Sequence, residues 1–249
     1  MAIAFGTAVH AQLGYRMGYA YGSPGTAMRS TIQGAHSLAV DGFYQFKGSG
    51  LSIGVELLVG TYGAQESDQY YAFDNGTEML APVNVSNNLS TVNAFARHEF
   101  LKEATITPFA TAKLGMAHMG TRITIEDPRS FHTDECPLPL EDTRLSSDIG
   151  LFVGAGLGLR FDLGGMFKGL TKGNFFVDFS ADYMWGSNLE YMSVNAPSGT
   201  FNSGENVEGV DFLFASGAQP EVIHEYHTGY LYRTAFEMTM FTLSFVQKF

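Results

Sequence analysis

The feature that most constrains this chain is a two-residue alternation that recurs in segments of about ten residues, the signature of strands with two unlike faces. In residues 12–22, Leu13, Tyr15, Met17, Tyr19 and Tyr21 alternate with Gly14, Arg16, Gly18, Ala20 and Gly22. Residues 149–163 show it most fully: Ile149, Leu151, Val153, Ala155, Leu157, Leu159, Phe161 and Leu163 interleave with Gly150, Phe152, Gly154, Gly156, Gly158, Arg160 and Asp162. Similar strands are predicted over 38–47, 51–60, 91–100, 106–116, 175–185 and a final segment ending at Phe249. The connections alternate as well. Gly48-Ser49-Gly50, 101–104 and 164–173 are short, whereas 63–88, 120–147 and 186–229 are long and polar. Eight strands joined this way put the long connections at one end and both termini at the other.

Two irregularities carry expectations. Pro108 lacks a donor and should leave one ladder bond unmade. Phe236, Met238 and Met240 are out of phase with Phe241, Leu243 and Phe245, which predicts a β-bulge near Met240 and Phe241. Residues 1–11 are read either as the tail of a secretory signal, ending Val9-His10-Ala11 but lacking a basic start, or as an extension of strand one. Residues 12–249 form a single domain.

Composition fits extended structure, with 29 Gly, 21 Phe and 12 Tyr among 249 residues. No apolar run of about 18 residues exists to cross a bilayer as a helix, but barrel strands average to neutral hydropathy and escape that test. With 14 Lys plus Arg against 25 Asp plus Glu, the formal net charge is −11, which argues against a nucleic-acid partner. The single cysteine, Cys136, cannot form an internal disulfide.

The two faces decide which way the sheet looks. The face opposite the apolar one carries glycine together with Arg16, Asp41, Glu56, Arg97, Glu99, Lys113, Arg160, Asp162, Asp178 and Asp182. A soluble barrel would need large apolar groups inside, whereas an eight-stranded lumen is only wide enough for side chains, and glycine leaves room there for long charged neighbours. The apolar face therefore looks out to lipid, and closure satisfies the backbone. A β-sandwich would leave unexplained both the contrast of short and long connections and the aromatic set Tyr19, Tyr21, Tyr44, Phe46, Phe161, Phe175, Tyr183 and Trp185 near strand ends. The fold class is an all-β, transmembrane, antiparallel up-and-down barrel.

From Gln12 onward the chain resembles the small OmpA-type outer-membrane barrels, and the Ala11-Gln12 boundary resembles those of Bacteroidota. The terminal segment, with Phe241, Leu243, Phe245 and Phe249, is similar to the strand by which the outer-membrane assembly machinery recognises its clients. The resemblance implies integral insertion in the outer membrane of a Gram-negative bacterium, among phospholipid and lipopolysaccharide, with long loops outside and short turns in the periplasm. Lys47, Lys102, Lys168, Lys172 and Lys248 fall at the turn end, and sixteen acidic residues lie in the three long loops.

No cofactor or metal site is implied. His224, His227, Glu221 and Glu225 lack a defined helix, and His132, Asp134, Glu135 and Cys136 mix hard and soft ligands without zinc spacing. Outer-membrane lipid-modifying enzymes act through Ser and His with a carboxylate; here His98 and His118 have outward parity with no Ser expected in phase beside them. Inward charges of both signs must pair, which closes the lumen and weighs against a solute channel. The remaining reading is a non-enzymatic barrel that displays its loops to an external partner or serves as subunit of a larger outer-membrane complex. Glu205, Glu208, Asp211, Phe212 and Phe214 are the candidate contacts, within a loop set that also holds Tyr70, Tyr71, Phe73, Phe131 and Phe201.

Overall fold

In the computed structural model, residues 12–73, 77–101, 104–128, 139–166, 174–194, 208–216 and 219–249 are described. They form β1 (Gln12–Pro24), β2 (Ala35–Gln45), β3 (Leu51–Ala72), β4 (Glu78–Glu99), β5 (Ile106–Ile125), β6 (Glu141–Asp162), β7 (Phe175–Ser193), β8 (Glu208–Ser216) and β9 (Gln219–Lys248), with one helical turn, α1 (Leu163–Met166). β1 to β7 pair antiparallel in chain order, β7 pairs with β9, and β1 pairs with β9 from Gly14↔Lys248 to Pro24↔Met238, closing a ring of eight. β8 lies outside the ring, paired to the far end of β9. The reading of residues 1–11 falls outside the described residues.

The three long connections are largely not loops. Residues 63–72 of β3 pair with 78–87 of β4, the upper part of β5 pairs with Glu141–Arg144 of β6, and Asn188–Ser193 of β7 pair with Tyr230–Ala235 of β9. A strand tilted by about 45° crosses the hydrocarbon in about 9–11 residues. β3, β4 and β6 each have 22. About half of each strand therefore stands beyond the membrane.

Three bulges sit where the hairpins leave the membrane section. Tyr62 is the extra residue in β3 and Leu145 in β6, while the β7 ladder skips from Trp185 to Asn188. Each bulge moves the inward set from one parity to the other: Ser52, Glu56 and Leu58 face in below Tyr62, whereas Ser67 and Tyr71 face in above it. Bulges are common at barrel rims because they re-aim side chains.

β9 has no such slip at this level. Phe236, Met238 and Met240 are buried in continuous phase with Thr242, Ser244 and Val246, while Phe241, Leu243 and Phe245 are exposed. The expected bulge at Met240 and Phe241 is absent from the ladders to β1 and β7. What changes there is polarity, not parity: below this level the apolar groups face outward, above it they face inward.

β5 shows the same inversion within one unbroken strand. Its lower outward positions are Leu114 and Met116, 62% and 49% exposed, and its lower inward ones Thr111 and Lys113. Higher up the outward residue is Arg122, and Met119, Ile123 and Ile125 are buried. The lower section is a lipid-facing barrel and the upper section has the polarity of a water-soluble one. Aromatics mark the edges: Tyr44, Phe46, Phe161 and Phe175 at the turn end, Tyr19, Tyr21, Tyr183 and Trp185 at the hairpin end. The hairpin between β2 and β3 turns through Gly48 and Gly50, at φ of 77° and 70°, a region only glycine enters freely.

Candidate functional site

The lumen is the first place to look for a path or a site, and it is filled by two layers. The layer nearer the turns is ionic. Arg16 pairs with Asp41 through Nε, donates from Nη2 to Glu56 at 3.2 Å and approaches Asp178 at 3.8 Å. Asp178 also accepts from Arg97 at 2.7 Å and takes a bidentate pair from Arg160, Nε and Nη2 each at 2.7 Å. Lys113 bridges Glu56 at 2.8 Å and Asp182 at 3.2 Å, and Arg160 Nη1 pairs with Glu99. Asp162 sits at the turn end, where its Oδ1 accepts the Gly164 N–H at 2.9 Å.

Lys248 belongs to this network, with Nζ 3.5 Å from Glu99, rather than only to the basic turn end. Its parity with Val246 and Ser244 was the signal that could have placed it inward. Asn93 and Gln45 were also overlooked. Asn93 Nδ2 donates to Glu56 at 3.1 Å and Gln45 Nε2 to Glu99 at 3.2 Å. The five cations Arg16, Arg97, Lys113, Arg160 and Lys248 thus face the five carboxylates Asp41, Glu56, Glu99, Asp178 and Asp182. Such pairing is what lets charge persist away from water. Rings pack among them: the Arg97 guanidinium lies 4.0 Å from the Phe109 centroid and the Lys248 ammonium 4.6 Å from that of Phe176. A Cβ at Gly158 would stand 2.2 Å from the Phe109 ring, so glycine there makes room for the ring that carries Arg97.

The second layer is apolar and was not anticipated. Leu58, Leu89, Met119, Phe152, Met184, Leu189, Phe236, Met238 and Met240 form one buried cluster across the barrel. The connection between β1 and β2 seals it from above. A helical turn, with Arg29 N–H on the Gly25 carbonyl and Ile32 N–H on that of Met28 (both 2.9 Å), drives Met28 and Ile32 into the cluster, at 0% and 1% exposure. The spacing of these two residues puts both on one face of the turn. Thr31 shares a hydrogen bond with Tyr191 at 2.7 Å, and Ser193 Oγ donates to the Thr31 carbonyl at 2.5 Å.

Above the plug, Ala81, Val83, Val85, Ile123, Ile125 and Tyr226 make a separate core inside the hairpins. Tyr71 and Phe212 pack against it, and Phe73 is buried beside Tyr71, ring centroids 5.0 Å apart. Phe212 is therefore partly buried against this core, while its neighbour Leu213 is 59% exposed. Asp211, Glu208 and Phe214 lie on β8. Glu205, Phe131 and Phe201 lie outside the described residues. At the outer wall, Tyr70 is 66% exposed.

One sequence expectation is overturned on that wall. His118 does have serines beside it: Ser147 Oγ lies 3.0 Å from Nε2 on the β6 side and Ser90 Oγ 3.4 Å from Nδ1 on the β4 side. The ladder register brings them together, with Ser90 directly opposite His118 and Ser147 two residues from its partner Ile149 on the same face. Among the described residues no carboxylate hydrogen-bonds the imidazole, so the orienting acid of a hydrolytic triad is absent there. No cluster of three or more metal-ligating side chains occurs among the described residues.

No family model and no curated protein matches the chain. Among solved structures it is similar to Neisserial surface protein A, at 12% identity over 96% of this chain and 97% of that one, with a TM-score of 0.44. It is similar to Ail, the attachment invasion locus protein of Yersinia pestis, at 11% identity over 96% and 99%, with a TM-score of 0.44. AlkL, an outer membrane protein solved in lipid bilayers, matches at 11% identity over 100% and 95%, with a TM-score of 0.32. The barrel assignment for this chain rests on its own strand register and on the polarity of its two faces.

Proposed function

We propose that this protein is a non-enzymatic, integral outer-membrane barrel whose working part is the extracellular half-barrel, which presents a rigid surface to an external partner or to a larger membrane complex. The observation that supports this is double occlusion. Among the described residues an ion network and an apolar plug each fill the lumen, which argues against a through-path in the membrane section. The hairpins, by contrast, continue well past the bilayer and hold their own core, which insertion does not require. Outward on them stand Glu66, Asp68, Tyr70 and Glu190, an anionic surface with an aromatic anchor. On β8, Glu208 and Asp211 add to the acidic composition, and among the described residues β8 pairs on one side alone, with β9, an arrangement that suits strand addition.

Replacing residues 194–229 with a tight turn tests the assignment, because Ser193 and Tyr230 are already paired across the two strands. Insertion and heat-modifiable gel mobility should persist, while recovery of a native companion from mild detergent should be lost. Undiminished companion recovery would move the interface to the lipid-facing wall.

A second reading, a narrow path for small apolar solutes, draws on one feature. Where the β7 ladder skips beside β9, a depression of about 510 Å3 on the outer wall is lined by Tyr183, Trp185, Gly186, Ala235 and Glu237, and reaches Phe236 of the lumen cluster. Purified protein in planar bilayers bears on this: a steady open state would favour a path over the closed barrel.

A further inference from the structure

Arg122 of β5 and Arg144 of β6 are direct register partners across the ladder. Like charges placed opposite each other destabilise a sheet unless an anion lies between them. Arg122 is satisfied by a bidentate pair with Asp142. Arg144 is exposed and has no ion pair or side-chain hydrogen bond among the described residues. The contrast with Arg233 is informative, since that residue faces Glu190 across its ladder.

The pair is placed by the bulge at Leu145. Below it Ser147, Ile149 and Leu151 point outward; above it Asp142 and Arg144 do, and Leu145 turns toward the inner core. Without the extra residue Arg144 would face that core. The arginines line a groove of about 460 Å3 with Asn88, His118, Gly120, Thr121 and Asp142. Ser90 and Ser147 flank its imidazole.

Height supplies the ligand class. His118 is opposite Ile149, which is 62% exposed at the top of the lipid-facing wall. Arg122 stands four residues further along β5, about 9 Å higher for a tilted strand. That is headgroup depth directly above the acyl chains. Guanidinium groups at such a site recognise phosphate through paired N–H donors, and hydroxyl, amide and imidazole groups beneath them suit a sugar.

We propose that this groove binds the phosphorylated headgroup of an outer-leaflet glycolipid, the phosphate seated between Arg122 and Arg144 and the sugar over His118, Ser90 and Ser147. The site goes beyond the display function and depends only on the membrane placement of the wall.

The test uses full-length protein refolded into phosphatidylcholine vesicles doped with bisphosphorylated lipid A, extracted in mild detergent, with retained lipid counted by native mass spectrometry. Wild type should retain lipid A. Each arginine neutralised should lower retention about fivefold, so Arg122→Gln with Arg144→Gln should lower it about 25-fold. Arg29→Gln with Arg233→Gln, equal in charge change, should leave it unchanged. Arg144→Gln alone keeps the Arg122–Asp142 pair and serves if the double variant loses its heat-modifiable mobility. Equal retention by wild type and Arg144→Gln would overturn the proposal, as would equal retention of lipid A stripped of its phosphates. Displacement of lipid A by millimolar inorganic phosphate would make this a free-anion site and overturn the lipid assignment.

Discussion

The lower and upper halves of this barrel share their strands and their ladder yet solve opposite solvation problems. Below the rim, Leu114, Val153 and Leu157 face lipid while Lys113, Arg160 and Asp178 are buried within. Above it, Val83, Ile123 and Ile125 are buried and the outward side carries Arg122, Asp142 and Glu66. The backbone is satisfied in both by the same pairing. Side-chain polarity alone tells where the membrane ends, and the bulges at Tyr62 and Leu145 lie at that change.

The sharpest way to break the comparison is through a lower-half interior charge. Asp178 accepts from both Arg97 and Arg160, so Asp178→Ala should cost about 3–5 kcal/mol by leaving buried cations without their partner. Reversible unfolding in lipid vesicles would measure it. Loss well below that range would mean that water reaches the network and that the lower lumen is not sealed.

An outward substitution separates the halves next. Leu157→Arg, if near the bilayer midplane, should cost about 2–4 kcal/mol, whereas the same change at Thr124, outward on upper β5, should be near neutral. Equal penalties in refolding titrations would erase the boundary drawn at the rim.

A smaller effect belongs to the upper core. Ile123→Val removes one methyl from a fully buried position and should cost about 0.5–1.5 kcal/mol. Amide exchange should quicken in 81–87 and 120–125 with lower strands unchanged. Faster exchange throughout would show the halves to be one cooperative unit.

The smallest expected effect is electrostatic and lies outside the membrane. The bidentate contact with Arg122 holds the Asp142 carboxyl below its ordinary value. A carboxylate depressed in the folded state contributes stability above its unfolded pKa, and that contribution is lost as pH falls through the folded value. Because both groups are exposed, the change in stability should be slight and weaken with salt. Carboxyl-detected NMR should place the Asp142 midpoint below that of an isolated aspartate and shift it upward in Arg122→Gln. An unchanged midpoint would remove the ion pair.

The two halves also differ in how far they can be read from sequence. Residues 12–22, 149–163 and 175–185 announce themselves because every outward position in lipid must be apolar while the inward ones are mostly small or charged. The upper hairpins look like loops because the alternation breaks at Tyr62, Leu145 and Gly186–Ser187 and resumes with reversed polarity. Ala81, Val83 and Val85 do alternate with Pro82, Asn84 and Ser86, but as a water-facing strand would. The same reversal at Met240 and Phe241 mimics a slipped register. Of the candidate contacts, Phe212 shows the limit plainly: nothing local distinguishes an aromatic that anchors a partner from one that fills a hairpin core.

What this sequence determined by itself is the inside and outside of the membrane section, since lipid imposes the same demand on each outward residue whatever its neighbours are. The tertiary structure decided which charges meet. Arg160 reaches Glu99 and Arg97 reaches Asp178 across 61 and 81 residues of chain, and Met28 seals a cluster that includes Phe236. Those meetings depend on strand order, stagger and closure, which bring together positions that no local pattern relates.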